Sequence, residues 1–160
     1  IISYANKGEL DDLIKAGKKP EITRIVNGKE YKIEYEKIIE EFDVNGVKLK
    51  ASYYSPKFDD YKKFEIPFGS ELGEKYGSHF SNANAYLKEQ LKKNDLVKNK
   101  FKDIKVSFPS AKTVKIDGKM YTWHHNLKTK QLELVLREAH EAGRHMGAGS
   151  VMTIIKDMFK

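Results

Sequence analysis

A chain of 160 residues and 18.5 kDa is long enough to bury one core and short for two well-stabilised domains. It contains no cysteine, which excludes disulfides and leaves any metal to His, Asp, Glu, Asn or backbone oxygen. No run approaches the roughly 18 apolar residues of a membrane-spanning helix. The formal charge of +7 is unevenly spread: residues 1–87 carry 14 basic and 15 acidic side chains, residues 88–160 carry 16 and 8. Residues 88–119 alone hold ten lysines against Glu89, Asp95, Asp103 and Asp117. Such a field attracts a polyanion, and it is equally a solvated lysine-rich surface, so charge alone does not choose. The start, Ile1-Ile2-Ser3-Tyr4, lacks the basic and apolar regions of a signal peptide,. With no initiator methionine, the expectation is a piece of a longer protein whose targeting information lies upstream.

In chain order, Leu10, Leu13 and Ile14 recur at helical spacing, Gly17 stands where a C-terminal cap belongs and Pro20 follows, which predicts a short first helix. Asn27-Gly28 and Asn45-Gly46 are each flanked by alternating apolar residues (Tyr31, Ile33, Tyr35; Val47, Leu49, Ala51, Tyr53), so residues 21–55 read as antiparallel strands. Residues 37–42 read as strand or as helix. Residues 56–78, with Pro56, Pro67, Gly69, Gly73 and Gly77, read as loop with short strand pieces,. From Ser81 the period turns helical: Ala83, Leu87 and Leu91 share a face, and an end is expected near residues 94–96,. Asp117-Gly118 then signals a hairpin from Val114 and Ile116 to residues 120–123,. The order that follows is strand (121–125), loop (126–130), alternating strand (131–136) and helix (137–142). Neither an internal repeat nor a linker is visible.

Four of the five histidines, His124, His125, His140 and His145, fall within 22 residues. A strand, loop, strand and helix in succession bring the end of the first strand beside the start of the helix. Imidazole suits such a place in two ways: neutral, it ligates a divalent metal, and unligated, near pKa 6.5, it takes a proton from water. Phosphodiester cleavage needs both a base and a cation. Neighbours on an extended strand point to opposite sides, so His124 and His125 are expected to play different roles. His140 and His145 lie five apart, about 140° from a shared helical face. Gly143 offers a break that folds His145 back toward His140.

Trp123-His124-His125 followed by Leu132, Leu134, Val135, Arg137, His140, His145 and Gly147 resembles the WHH branch of the HNH/endonuclease VII superfamily, the nuclease modules at the C-termini of bacterial polymorphic and contact-dependent inhibition toxins. Ser78-His79 through Asn82 and Asn84 loosely match that family's upstream helix, and the resemblance covers residues 78–150. Met120-Tyr121 and Gly147-Ala148 stand where the family has Gly-Tyr and Gly-Gly. The resemblance implies that His125 is the general base and that His124, His140 and His145 hold or surround a divalent metal, Mg2+ or Zn2+. It also implies DNA as substrate, export as the C-terminal part of a larger toxin, action in the target-cell cytoplasm, and neutralisation by a cognate immunity protein. Given the basic half, that partner is expected to be acidic.

The remaining candidates read both ways. Trp123 is expected to be an apolar anchor for the strand bearing the histidines. His79 is expected to be structural. Arg137 and Arg144 suit a phosphate clamp or surface pairing with Glu138 and Glu141, and Arg144 is preferred as the clamp. The aromatics Tyr53, Tyr54, Phe58, Tyr61, Phe64 and Phe68 are expected mainly in cores. The expectation is therefore an α+β protein: a β-hairpin-rich N-terminal part, a helical middle and a C-terminal ββα-metal catalytic unit. Residues 1–160 form one toxin nuclease domain, with 78–160 as the nuclease core and 1–77 as a β-rich support, an import element or the surface read by immunity. The function expected is a metal-dependent endonuclease acting on DNA. Its alternatives are a metal-independent ribonuclease using the same histidines, and a non-catalytic nucleic-acid-binding module with a structural metal.

Overall fold

The computed structural model describes residues 7–143. Among them the protein is α+β, with two antiparallel sheets and four α-helices. The described residues up to Asp60 and from Glu138 onward form one compact unit, and Tyr61–Arg137 forms the other. No described helix is long and apolar enough to cross a membrane. Arg144 and His145, both singled out from the sequence, lie outside the described residues.

The first unit begins with helix α1 (Lys7–Lys15), closed by Gly17 at φ 71° as its position predicts,. Strands β1 (Glu21–Val26), β2 (Lys29–Val44) and β3 (Val47–Lys57) follow in the order β1-β2-β3. Both Asn-Gly turns carry the paired positive φ angles that two-residue hairpins require: 50° and 79° at Asn27-Gly28, 52° and 80° at Asn45-Gly46,. Residues 37–42 lie inside β2, paired with β3 from Lys37↔Tyr54 to Phe42↔Leu49. The strand reading wins over the helical one because sixteen residues of β2 find a partner or a turn at every step, whereas a lone helical turn there would interrupt that ladder. Leu10, Tyr31, Ile33, Tyr35, Tyr53 and Phe58 are buried. Two hydroxyls of this unit are engaged: Tyr54 donates to Asp11, and Tyr31 donates to Glu138, which also accepts from Asn27 Nδ2 at 3.1 Å.

In the second unit, β4 (Lys62–Pro67), β5 (Val106–Ser110), β6 (Thr113–Ile116), β7 (Lys119–Asn126) and β8 (Gln131–Leu136) form one sheet in the order β4-β8-β7-β6-β5. The stretch expected as loop with short strand pieces contains one edge strand, which pairs with β8 from Lys62↔Val135 to Pro67↔Gln131. Helix α2 (His79–Lys93) begins two residues earlier than its apolar period suggested, after a 3-10 turn at Tyr76–Ser78. Asn94 then stops α2 and starts helix α3 (Asp95–Lys100) by accepting from the amides of Leu96 and Val97, a cap with its own physical cause. Asp117-Gly118 makes the expected hairpin, at φ 48° and 81°. Strands β7 and β8 fall where the alternation placed them, and helix α4 (Arg137–Ala142) continues directly from β8.

The core of this unit gathers Leu72, Ala83, Leu87, Val114, Trp123 and Leu134 with their neighbours. Trp123 is the anchor expected of it. Its ring is 1% exposed and its Nε1 donates to Asn84 Oδ1 at 2.7 Å, while Asn84 Nδ2 donates to the carbonyls of Ser110 and Thr113 at 3.0 and 2.9 Å. One amide on α2 therefore ties the histidine strand to the β5–β6 turn.

Candidate active site

Strand β7 presents its side chains alternately, as any extended chain must. Trp123 and His125 face α2, and His124 and Asn126 face the other way. The strand remains paired through Asn126↔Gln131, so nothing kinks at the two histidines and they do not share a site on the sheet. The structure separates them as the period-two argument expects.

On the α2 side, His125 meets a histidine that sequence reasoning had left as structural. His79 Nδ1 lies 3.0 Å from His125 Nε2, and His79 Nε2 lies 2.8 Å from the carbonyl of Gly73. His79 is 2% exposed, the first residue of α2. Two aromatic rings stand beside His125: Phe80 at 5.1 Å, tilted, and Phe68 at 5.7 Å, edge-on. Phe68 is held there because its amide donates to the Lys130 carbonyl across the β4–β8 end of the sheet. Gly73 sits at φ 78°, in the left-handed region that favours glycine,. Asn82 Nδ2 takes the neighbouring Leu72 carbonyl at 2.7 Å, so α2 grips this loop at two consecutive carbonyls.

The enclosure has an electrostatic consequence. Burial, with the adjacent His79 adding to it, pushes His125 down from 6.5 to about 4, because removing water disfavours the imidazolium. At physiological pH His125 is a neutral imidazole carrying a lone pair. A phosphate anion beside it favours the charged form and moves the value back toward neutrality, which is where a general base works best.

On the opposite side, His124 is 2% exposed and stands across from Glu133 in the β7–β8 register. Glu133 is itself buried. It accepts from Lys62 Nζ at 3.0 Å and from Asn126 Nδ2 at 3.4 Å. His140 lies in α4 of the first unit, its ring 5.6 Å from that of Phe58. Of the expected metal ligands, then, His124 and His140 are described and His145 is not. Among the described residues no three His, Asp or Glu side chains converge as a metal requires,.

A basic cavity of about 340 Å³ opens elsewhere in the second unit, lined by Lys63, Lys100 and Lys119 with Asp117, Phe101 and Tyr121. Burial, and secondarily Asp117, raises the Tyr121 phenol, so it stays a donor at neutral pH. Lysines also lie over half-buried rings, Lys88 on Phe108 at 5.0 Å and Lys100 on Phe64 at 5.5 Å. A surface that combines cations with π faces suits a phosphate backbone and its bases.

His79 carries a signal in the sequence for an inward direction. With Ala83 and Leu87 it forms an i, i+4, i+8 row, the buried stripe of α2,. A histidine on such a stripe must find a polar partner inside, and the paired histidines of β7 were the nearest chemistry available.

A pair of contacting imidazoles, His79 buried and His125 half-buried, in a unit that also carries a basic cavity, suits acid–base chemistry on a polyanion. The chain belongs to the family described as the DNase/tRNase domain of colicin-like bacteriocin, whose model matches residues 47–147. It is a nuclease domain of the bacteriocin-like toxin kind. No curated protein and no solved structure matches the chain.

Proposed function

We propose that this nuclease domain hydrolyses DNA phosphodiester bonds with His125 as the general base, in the manner of an HNH-type endonuclease bearing the WHH motif. The observation that carries the reading is the enclosed His79–His125 pair, which keeps a neutral imidazole at a strand end that a substrate phosphate can approach. Water attacks phosphorus and gives its proton to His125. The bond from phosphorus to the leaving sugar oxygen breaks, and that oxygen is protonated from solvent. His125 then returns its proton to solvent, which balances the cycle. In the proposal the lysines around the second unit's cavity hold the nucleic-acid backbone, and Arg144 clamps a phosphate.

A divalent ion, Mg2+ or Zn2+, belongs to the proposal through the family and through His124, His140 and His145. When bound, it would supply charge stabilisation at the phosphoryl and leaving oxygens. The proposal also includes a larger exported toxin delivering a single nuclease domain over residues 1–160 to the target-cell cytoplasm, in the manner of contact-dependent inhibition. An acidic immunity protein covers the basic surface in the producing cell. A metal-free ribonuclease using His79 and His125 fits less well. General acid and general base must flank the phosphate from opposite sides, and these two imidazoles are within hydrogen-bond distance of each other.

The test is cleavage of plasmid DNA and of total RNA with Mg2+, Mn2+ or Zn2+ and with EDTA, for the wild type and His125→Ala. Metal-dependent DNA cutting that the folded variant loses supports the reading. RNA cutting that survives EDTA moves the chemistry to a metal-free ribonuclease.

A further inference from the structure

The Gly73 carbonyl can only accept a hydrogen bond. A 2.8 Å contact with His79 Nε2 therefore places a proton on that nitrogen. A neutral His79 has no second proton, so its Nδ1 carries the lone pair and acts as acceptor. The 3.0 Å contact with His125 Nε2 then requires the proton of that bond to come from His125. With Nε2 of His125 protonated, its own lone pair is on Nδ1. One backbone carbonyl thus sets the tautomers of two rings in series.

We propose that His79 is a positioning residue of the nuclease reaction, accepting from His125 Nε2–H so that His125 takes the proton of the attacking water at Nδ1, with the choice relayed from the Gly73 carbonyl. The inference rests on the reading of His125 as general base. It adds a differential effect. Before the reaction the His125 end of the bond is a neutral N–H. As the proton arrives at Nδ1, His125 becomes an imidazolium and the same bond becomes charge-assisted, hence shorter and stronger. An interaction that strengthens only as the transition state forms accelerates the reaction, and the aromatic enclosure keeps water from weakening it. A third group that fixes the tautomer and orientation of a catalytic imidazole is a general solution, for which a carboxylate is the usual choice. Here a second imidazole fills that place.

The wild-type protein, labelled with 15N in its histidines, decides the tautomers directly by NMR at neutral to mildly alkaline pH. Both rings are expected as Nε2–H tautomers, with a through-hydrogen-bond 15N–15N coupling between His79 and His125. Finding His125 protonated at Nδ1 instead of Nε2, or finding no coupling, overturns the proposal without needing any variant. Two substitutions read the consequence for the reaction. His79→Asn keeps an acceptor oxygen near the former Nδ1 and is expected to retain cleavage within a few-fold. His79→Phe keeps the ring and removes both nitrogens, and is expected to lose about 10–100-fold in kcat, the usual cost of an outer-shell partner, with KM little changed. Cleavage by His79→Phe at the wild-type rate overturns the relay, and so does an equal loss in both variants, since that is what a purely structural role would give. The underlying reading fails separately: it falls if His125→Ala still cuts, whereas a dead His125→Ala beside a fully active His79→Phe leaves the base in place and removes only the relay.

Discussion

The two faces of β7 carry adjacent histidines in opposite circumstances. His125 faces rings, a second imidazole and the helix. Its enclosure lowers its affinity for a proton. His124 faces a buried carboxylate across the ladder, already engaged by Lys62 and Asn126. One face therefore suits proton transfer, which needs an accessible lone pair. The other is built around a fixed negative charge, which suits the support of cations. Side-chain alternation alone separates two kinds of chemistry that the sequence writes in consecutive letters.

The comparison breaks most visibly in rate. His125→Ala is expected to reduce phosphodiester cleavage by about 10²–10⁴-fold, the contribution typical of a general base, with the folded signature in circular dichroism kept. Cleavage within a few-fold of wild type would remove His125 from the reaction.

Next in size is Asn84→Ala. It deletes the acceptor of the Trp123 indole and the donor to two carbonyls, and should cost about 3 kcal/mol of stability in urea unfolding, since buried polar groups left unpaired cost roughly 1–3 kcal/mol each. A loss below about 1 kcal/mol would mean that water replaces the amide.

On the carboxylate face, Glu133→Gln removes the charge that Lys62 pairs with while keeping an acceptor for Asn126. Glu133 is 2% and Lys62 27% exposed in their side chains. The half-solvated lysine softens the penalty, and about 2 kcal/mol is expected, below the 3–5 kcal/mol of a fully buried pair that loses one member. The same variant should leave the His79–His125 coupling in place, because it lies on the other face.

The last effect is a slope, spread over more than two pH units. The unfolded chain protonates residue 125 near 6.5, the folded chain only near 4. Stability contributed by the neutral imidazole is complete above pH 6.5 and falls as pH drops from there toward 4, where the loss levels off. Subtracting the pH profile of His125→Asn from that of the wild type isolates this one proton. A flat difference between those limits would show that the ring is not shielded.

Local signals were the legible ones. Each Asn-Gly or Asp-Gly pair became a hairpin turn, because only a few residue types tolerate two successive positive φ angles. Strands β7 and β8 and the start of α4 appeared in the alternation of residues 121–136. What the sequence concealed depends on distant partners. Strand β4 is short and ends in Pro67, and it exists because β8 offers it a ladder. Helix α3 exists because Asn94 caps it after ending α2. His79 belongs to the same class. Its identity as the neighbour of His125 is a property of helix-on-sheet packing, and only its place on the Ala83–Leu87 stripe hinted at an inward direction. The separation of His124 from His125 was readable from period two.

The strand order β4-β8-β7-β6-β5 has a consequence in time. Strands β5 to β8 join as successive hairpins, each closing over a few residues, and can zip up early. Strand β4 must return across the whole helical middle, with Lys62 and Glu133 standing 71 positions apart. Closing so long a loop costs more chain entropy and generally comes late. The segment that β4 drags into place leads directly to Gly73, the carbonyl at the head of the imidazole series. In the proposed reading the imidazole pair is thus completed with the last edge of the sheet, and a partly folded molecule with β7 and β8 already paired is expected to hold both adjacent histidines and still be inert.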